Sequence, residues 1–489
     1  MERQTKIFDT KTQMLKCSVL EKVARHAWRD DLLENILSIP KEIIPAGSEP
    51  SMRCCVYKER AILAERVHHA MGGDRSSRNV ISVINIACDD CPSSGYTVTD
   101  VCRGCLAHFC AEVCPRGAIS YDEQHKAHID KEKCINCGRC AQACPYSAII
   151  NRSRPCEDAC KIKAVSMAPD GSSKIDDEKC IACGACAYHC PFGAITDKSF
   201  IINVIDMIKK SEGNSKYKVF AVVAPAIASQ FSYAKIGQVI RGLKELGFSE
   251  VVEVALGADI VAFEECGELV EKGMLTSSCC PAFVSYIEKH IPEMLSYVSH
   301  NPSPMGAIGK RLKTENPGCK VVFIGPCTAK KMEFQKPELR PFIDSVMTFE
   351  ELQALFDSRD IDLASLEEEP LDDASGFGRI FARSGGLSEA VAQGLKERGF
   401  EDFECRPVVC SGIAECQKAL LLASKGKLDG NFIEGMACVG GCVNGAGCLN
   451  HGEKNRLSVD KHGASAAKQS ICGSLEALAA ERKKEPAGV

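Results

Sequence analysis

Residues 134–145 read Cys134-Ile-Asn-Cys137-Gly-Arg-Cys140-Ala-Gln-Ala-Cys144-Pro145, and the same C-x2-C-x2-C-x3-C-P spacing returns at Cys180, Cys183, Cys186, Cys190 and Pro191. Three thiolates on one tight loop reach three irons of a single 4Fe–4S cube. The fourth cysteine, opening a helical turn, points to a different cube. The proline fixes that turn and has no N–H to donate. A longer variant, C-x2-C-x4-C-x3-C-P, runs through Cys102, Cys105, Cys110 and Cys114. The phrase around the last cysteine repeats as Cys114-Pro-Arg-Gly-Ala-Ile, Cys144-Pro-Tyr-Ser-Ala-Ile and Cys190-Pro-Phe-Gly-Ala-Ile, with Cys160-Lys-Ile-Lys-Ala-Val a degenerate fourth copy. Zinc sites use paired C-x2-C or Cys/His knuckles, so triplets with a trailing Cys-Pro read as iron–sulfur chemistry.

The two regular runs have the spacing of bacterial ferredoxins, and residues 93–200 are expected to form a ferredoxin-like region. One pairing has two pseudo-symmetric units. Cys102, Cys105 and Cys110 would join Cys144, and Cys134, Cys137 and Cys140 would join Cys114. In the second unit Cys180, Cys183 and Cys186 would join Cys160. Cys156 and Cys190 then remain, and Cys88-x2-Cys91 could complete a further cube with them. The alternative pairs the two regular runs with each other. Three or four ferredoxin-type cubes are expected. Cys54-Cys55 lacks a triplet and reads as a pair of ordinary thiols.

The rest of the composition frames this block. The 489 residues suggest about three domains. A net charge of −5 gives no basic excess for a phosphate backbone, so nucleic acid is not an expected partner. Secreted disulfide scaffolds are short and follow a signal peptide, whereas this chain of 31 cysteines starts MERQTKIFDTKTQ with no apolar h-region. The longest apolar stretch, near Val219–Ala228, falls short of the ~18 residues of a membrane span. A cytoplasmic protein, with reduced thiols bound to metal, is expected.

Residues 1–92 read as mostly helical, with apolar periodicity over Val23–Ile36 and Glu59–Ala70. From about Lys216 the pattern becomes α/β. Val219–Ala224, Val251–Val254 and Val321–Ile324 read as strands, and Ala234–Leu246 and Asp259–Lys272 as helices. That alternation implies parallel sheets covered by helices. Glu367–Asp373 reads as a surface loop. Residues 456–489 read as a polar tail ending in a charged helix over Leu475–Lys484.

This α/β part carries three further cysteine motifs. They are Thr276-Ser-Ser-Cys279-Cys280-Pro281-Ala-Phe283, Gly325-Pro326-Cys327-Thr-Ala-Lys330-Lys331-Met-Glu333, and Glu434-Gly-Met436-Ala-Cys438-Val-Gly-Gly-Cys442-Val-Asn-Gly-Ala-Gly447. Four of these cysteines, on three loops, could hold one more cube. In this order, behind a ferredoxin block, the motifs resemble those of the [FeFe]-hydrogenases over roughly Cys102 to Gly447. The resemblance implies an α+β multidomain protein. Ferredoxin-like 4Fe–4S modules would be followed by a two-lobed α/β hydrogenase domain at 201–455, with the active-site cluster between the lobes. In that family the centre is a 4Fe–4S cube bridged by a cysteine sulfur to a two-iron unit bearing CO, cyanide and a dithiolate. Carried over by motif, Cys280, Cys327, Cys438 and Cys442 hold the cube, with Cys442 the bridge. Pro225 and Met436 line the cofactor, Lys330 donates to a cyanide, and Cys279 is the proton-relaying thiol. Glu265 and Glu268, three apart on a helix face, and Ser299 continue that relay.

The sequence departs from the commonest family pattern at Ala226, Ala282-Phe283, Met305, Gly325 and Cys448, none of them a ligand or the relay thiol. Gly385 and Gly386 are read as letting backbone approach the buried cofactor. The resemblance implies reversible reduction of protons to H2, a soluble electron carrier of the ferredoxin kind, and maturation proteins that deliver the two-iron unit. Neither nucleic acid nor membrane is implied as a partner. Two other readings stand beside it: an H2 or redox sensor using the same centre, and a hydrogenase-like iron–sulfur protein of electron transfer or cluster assembly.

Overall fold

The computed structural model describes residues 7–482 apart from 52, 75 and 90. The expected boundary at 92/93 is not where the α-helices of the N-terminal region end: they stop at Ala70, and Ile81–Val83 already pairs with Ile195–Asp197 of the cysteine-rich region. The first helix runs over Lys11–Arg29, capped by Thr10 and Gln13. It stops where Asp30 turns into the left-handed region at φ 63°, and a separate short turn follows at Leu32–Asn35. Val23–Ile36 is therefore not one helix. The apolar face of Lys11–Arg29 shares a core with Val204, Ile205, Leu352 and Phe356. The N-terminal helices thus pack onto the α/β part.

The cysteine-rich region is built from short antiparallel pairs. Its strands are β1 (Ile81–Val83), β2 (Gly95–Val98), β3 (Ile119–Tyr121), β4 (Ala127–Ile129), β5 (Ile149–Arg152), β6 (Val165–Met167), β7 (Ser173–Ile175) and β8 (Ile195–Asp197). β2 pairs with β5 and encloses the β3–β4 hairpin. β1 pairs with β8 and encloses the β6–β7 hairpin. The two units have the same plan, and the first is inserted whole between β1 and β6 of the second. The pseudo-symmetry of the cysteine spacing is a nesting in the fold.

The α/β part holds two parallel sheets. β9 (Val219–Val223), β10 (Glu250–Glu253), β12 (Lys320–Gly325) and β13 (Ser345–Thr348) form one, in the order β10-β9-β12-β13. β11 (Leu275–Thr276), β14 (Pro407–Ser411) and β15 (Phe432–Met436) form the other, in the order β11-β15-β14. β9 is buried at every position, as a strand covered on both faces must be. Pro225 follows β9, Cys279-Cys280 follow β11, Pro326-Cys327 follow β12 and Cys438 follows β15. Every motif loop thus leaves the carboxyl end of a parallel strand, where open α/β sheets place ligands.

The C-terminal segment is less of a tail than its polarity suggests. Helix Lys454–Ala464 puts Val459 in the core, and Asn455 donates to the carbonyls of Val443 and Asn450. Helix Ile471–Arg482 packs on the long helix Val254–Lys272, where Ser474 donates to Asp259. The end of the expected charged helix, residues 483–484, lies outside the described residues. No helix among the described residues is long and apolar enough to cross a membrane.

Candidate active site

The two sheets converge on a cavity lined by the motif loops. Cys279, Cys280, Cys327, Cys438 and Cys442 all line it, with Lys330, Pro225 and Met436. Each arrives by a local device. Cys280 is the N-cap of helix Pro281–His290, and Cys327 that of Thr328–Glu333. Backbone N–H groups at a helix start favour a thiolate there. Cys442 is set by Gly441, whose φ is 99° and whose added Cβ would lie 2.7 Å from the Ser384 nitrogen and 2.8 Å from the Ala382 oxygen. Gly435 allows the Phe283 ring to close over β15, since a Cβ there would meet the ring at 2.4 Å.

The electrostatics of these thiols fit a metal cluster. Burial, and then the charges of Cys280 and its neighbours, pushes the Cys327 thiol up to about 11 and those of Cys438 and Cys442 higher. Four thiolates in an apolar cavity cannot coexist without a compensating cation. The donor set suits a 4Fe–4S cube. Burial also raises the Cys279 thiol, followed by the charge of Glu265.

Behind Cys279 lies a line of ionisable and hydroxyl groups. Glu265 is fully buried, and burial pushes its carboxyl up to about 8. The Ser278 amide and hydroxyl each lie 3.4 Å from Glu265 Oε1, while Oε2 has no hydrogen-bond partner. The Ser299 hydroxyl sits beside Glu265 and donates to Glu268 Oε2 at 2.9 Å. Burial works to raise Glu268, but Lys272, the His300 amide and Ser299 outweigh it and hold the carboxyl low. Lys272 Nζ lies 2.8 Å from Glu268 Oε1, and His300 beside it is exposed. Lys330 Nζ donates to the Cys279 carbonyl at 3.3 Å and pairs with Glu333 at 2.6 Å. Burial works to lower Lys330, and Glu333 outweighs it, so the ammonium stays charged.

Ser278 and Glu333 lie inside the quoted motifs without an assigned role, and Lys272, His300, Phe323 and Phe381 are not singled out by the sequence. The ring of Phe323 occupies the space a side chain at Gly325 would need, 2.7 Å from such a Cβ, and it lines the cavity. Adjacency to Ser299 was the available signal for His300, and the four-residue spacing from Glu268 was that for Lys272. Gly385 and Gly386 do not line the cavity. Gly386 instead lets its helix approach the Ile380 carbonyl, 1.9 Å from where a Cβ would stand, and Gly385 donates its amide to Glu434.

The ferredoxin-like cysteines gather in sets. Cys180, Cys183, Cys186 and Cys160 lie within one another's Coulombic range, and Cys140 lies near Cys134 and Cys114. Cys102, Cys105 and Cys110 surround Tyr121, with Cys144 in the same cluster of side chains as Cys102 and Cys110. Cys137 is exposed on its loop. The two regular runs stand in different modules, so the fold does not bring them together. Cys183 also lines the active-site cavity, so the Cys180–Cys186 loop is the one that abuts it.

Residues 217–446 match the C-terminal domain of the iron only hydrogenase large subunit, 101–148 a 4Fe-4S dicluster domain and 173–196 a 4Fe-4S binding domain. Iron hydrogenase 1 of Clostridium pasteurianum is 29% identical over 71% of this chain and 69% of its own length. The periplasmic [Fe] hydrogenase large subunit of Nitratidesulfovibrio vulgaris is 31% identical over 67% of this chain and 87% of its own. The cytosolic Fe-S cluster assembly factor NAR1 of Eremothecium gossypii is 26% identical over 48% of this chain and 68% of its own. With its cysteine-lined cavity between two parallel sheets and ferredoxin modules ahead of it, the chain belongs to the [FeFe]-hydrogenase family.

Proposed function

We propose that the protein is a working hydrogenase that interconverts protons, electrons and H2. Cys280, Cys327, Cys438 and Cys442 would hold the active-site cube, with Cys442 bridging to a two-iron unit. That unit, when bound, would supply the redox chemistry at which H2 is made or consumed. The chain's own contribution is proton delivery, orientation and exclusion of water. The Cys279 thiol is kept protonated by burial and carries a proton between the cavity and Glu265. Glu265, at about 8, is matched to proton transfer near neutral pH. Ser299 passes the proton on to Glu268, which exchanges it with solvent beside Lys272 and His300. Lys330 would offer its ammonium to an anionic part of the bound group, a role suited to its compact charge and three donors. Pro225 and Met436 keep the lining apolar.

Electrons would pass through the ferredoxin-type cubes, the Cys180–Cys186 loop being the last before the cavity, to a soluble carrier of the ferredoxin kind. Maturation proteins would install the two-iron unit, and the protein would work in the cytoplasm.

The observation that carries this reading is the Glu265–Ser299–Glu268 line. A buried carboxyl leading outward from a cysteine-lined cavity is what proton delivery to H2 chemistry requires. The likeness to the NAR1 factor favours the second reading, a role in cluster assembly without the two-iron unit. Infrared spectroscopy after maturation with the two-iron unit separates them. CO and cyanide bands together with H2 evolution are expected. Their absence from protein with a full active-site cube would leave the assembly reading.

A further inference from the structure

We infer that Cys88, Cys91, Cys156 and Cys190 hold a fourth ferredoxin-type 4Fe–4S cube, in a binding motif that an entire cluster-bearing module interrupts. No matched ferredoxin domain takes in Cys88, Cys91 or Cys156. Read across the insertion, Cys88-x2-Cys91 continues into Cys156-x3-Cys160, the pattern of a ferredoxin run whose middle has been opened. The nesting of the strands is the structural counterpart. The chain leaves the outer unit after Cys91, builds the inner unit from β2 to β5, and re-enters just before Cys156.

The fold closes the gap in the motif. Cys88, Cys156 and Cys190 lie in one buried cluster of side chains with Ile81 and Ile195, from the β1–β8 pair. Cys91 lies within Coulombic range of both Cys190 and Cys88, and Cys156 within that of Cys190 and Cys91. Ligand posture repeats too. The sulfurs of Cys114, Cys144 and Cys160 each accept the backbone N–H four residues on, at 3.3, 3.4 and 3.2 Å. Cys190 does the same with Ala194 at 3.2 Å. In the ferredoxin plan each such cysteine serves the triplet of the other half. Cys160 serves Cys180, Cys183 and Cys186, and the triplet left for Cys190 is Cys88, Cys91 and Cys156.

Three arginines frame the set. Arg154 is 1% exposed and donates to the carbonyls of Cys91 and Pro92, joining the two sides of the interruption. Arg53 donates to the Ala87 carbonyl, next to Cys88. Arg66 donates to the Phe192 carbonyl, two residues from Cys190, and its buried Nε has no partner. Arg154 and Arg66 are buried cations, which need an anion, and a cube carried by four thiolates is one. Because the inner module hangs from the two chain crossings at this site, the cube would stand between that module and the Cys180–Cys186 cube beside the active site.

The test does not depend on hydrogenase activity. The full chain, without its two-iron unit, is loaded anaerobically with iron and sulfide until iron content stops rising. It is then compared with a Cys88→Ser/Cys91→Ser double variant and a Cys54→Ser/Cys55→Ser control. The double variant is expected to hold about four fewer irons per chain, with the electron-paramagnetic signals of the other cubes and of the control unchanged. Should the double variant fail to accumulate, Cys91→Ser alone is expected to give a three-iron signal on mild oxidation that wild type lacks. Equal iron in the double variant and wild type, or a Cys91→Ser spectrum identical to wild type, would overturn the assignment.

Discussion

The hydroxyl of Thr328 donates to the carbonyl oxygen of Ala182 at 2.7 Å, with both residues buried. One residue belongs to the loop of Cys327 and the other to the loop of Cys180, Cys183 and Cys186. This bond is a direct fastening between the last ferredoxin-type loop and the active-site cavity. Gly184 makes it possible, because a Cβ there would stand 2.6 Å from Thr328 Oγ1 and 2.5 Å from Ala446 Cβ.

Thr328→Val should leave the Ala182 carbonyl buried without its donor, at a cost of about 1–3 kcal/mol. Gly184→Ala should do more, since its φ of 75° also disfavours a side chain. In both variants donor-driven H2 evolution should fall several-fold while the infrared bands of the matured active site stay in place. Calorimetry and infrared spectra of the same samples check this. Unchanged evolution in Gly184→Ala would show that electrons enter elsewhere.

Cys279 and Cys280 are adjacent, but only Cys280 caps a helix with its Cys-Pro turn. Cys280→Ala should lose the active-site cube and with it the two-iron unit. Cys279→Ala should keep the cube and lower turnover by about 10²–10⁴, the usual effect of a missing acid–base group. Paramagnetic spectra and H2 assays on the pair read both. The opposite pattern would exchange the two roles.

Glu265 should be neutral at pH 7 and ionise near pH 8. Its folded-state pKa lies above the ordinary carboxyl value of 4.5, so between those values the folded protein binds the proton more tightly than the unfolded chain. Stability from this group therefore falls as pH rises from about 4.5 to about 8. Glu265→Gln should gain stability relative to wild type across that window while losing turnover. A protonated-carboxyl infrared band that titrates near pH 8 and vanishes in Glu265→Gln would confirm the assignment. Stability curves that run parallel across the window would refute it.

Gly441→Ala places a methyl against the Ser384 nitrogen and Ala382 oxygen at a φ that L side chains rarely adopt. It should cost at least about 1 kcal/mol and displace Cys442, so iron at the active-site cube should fall while the ferredoxin-type cubes remain. Iron analysis with paramagnetic spectra distinguishes this from general unfolding.

Much of the site was legible because its chemistry is written in short motifs. Cys280-Pro, Pro326-Cys327 and the Cys438/Cys442 loop each carry local backbone instructions, and strands such as Val219–Val223 announce themselves by continuous burial. What could not be read depends on distant segments meeting. Lys272 facing Glu268 four residues back on one helix, and Phe323 sharing a strand face with Gly325, follow from spacing alone, but nothing near either says that His300 arrives beside Glu268. The early helix was misjudged because its stop is a single left-handed residue, Asp30, with no glycine or proline to mark it. The C-terminal segment hid its role because its anchoring residues, Asn455 and Ser474, are polar.

The nested strand pairs also set a timetable. During synthesis Cys88 and Cys91 emerge 68 and 65 residues ahead of Cys156. At the ~5–20 residues per second of translation, these two thiols wait seconds for the third member of their set, and longer for Cys190. The inner unit, whose first and last strands meet with Gly95 opposite Arg152, is complete before the outer one can close. Its own cubes can be loaded while the outer pair is still open.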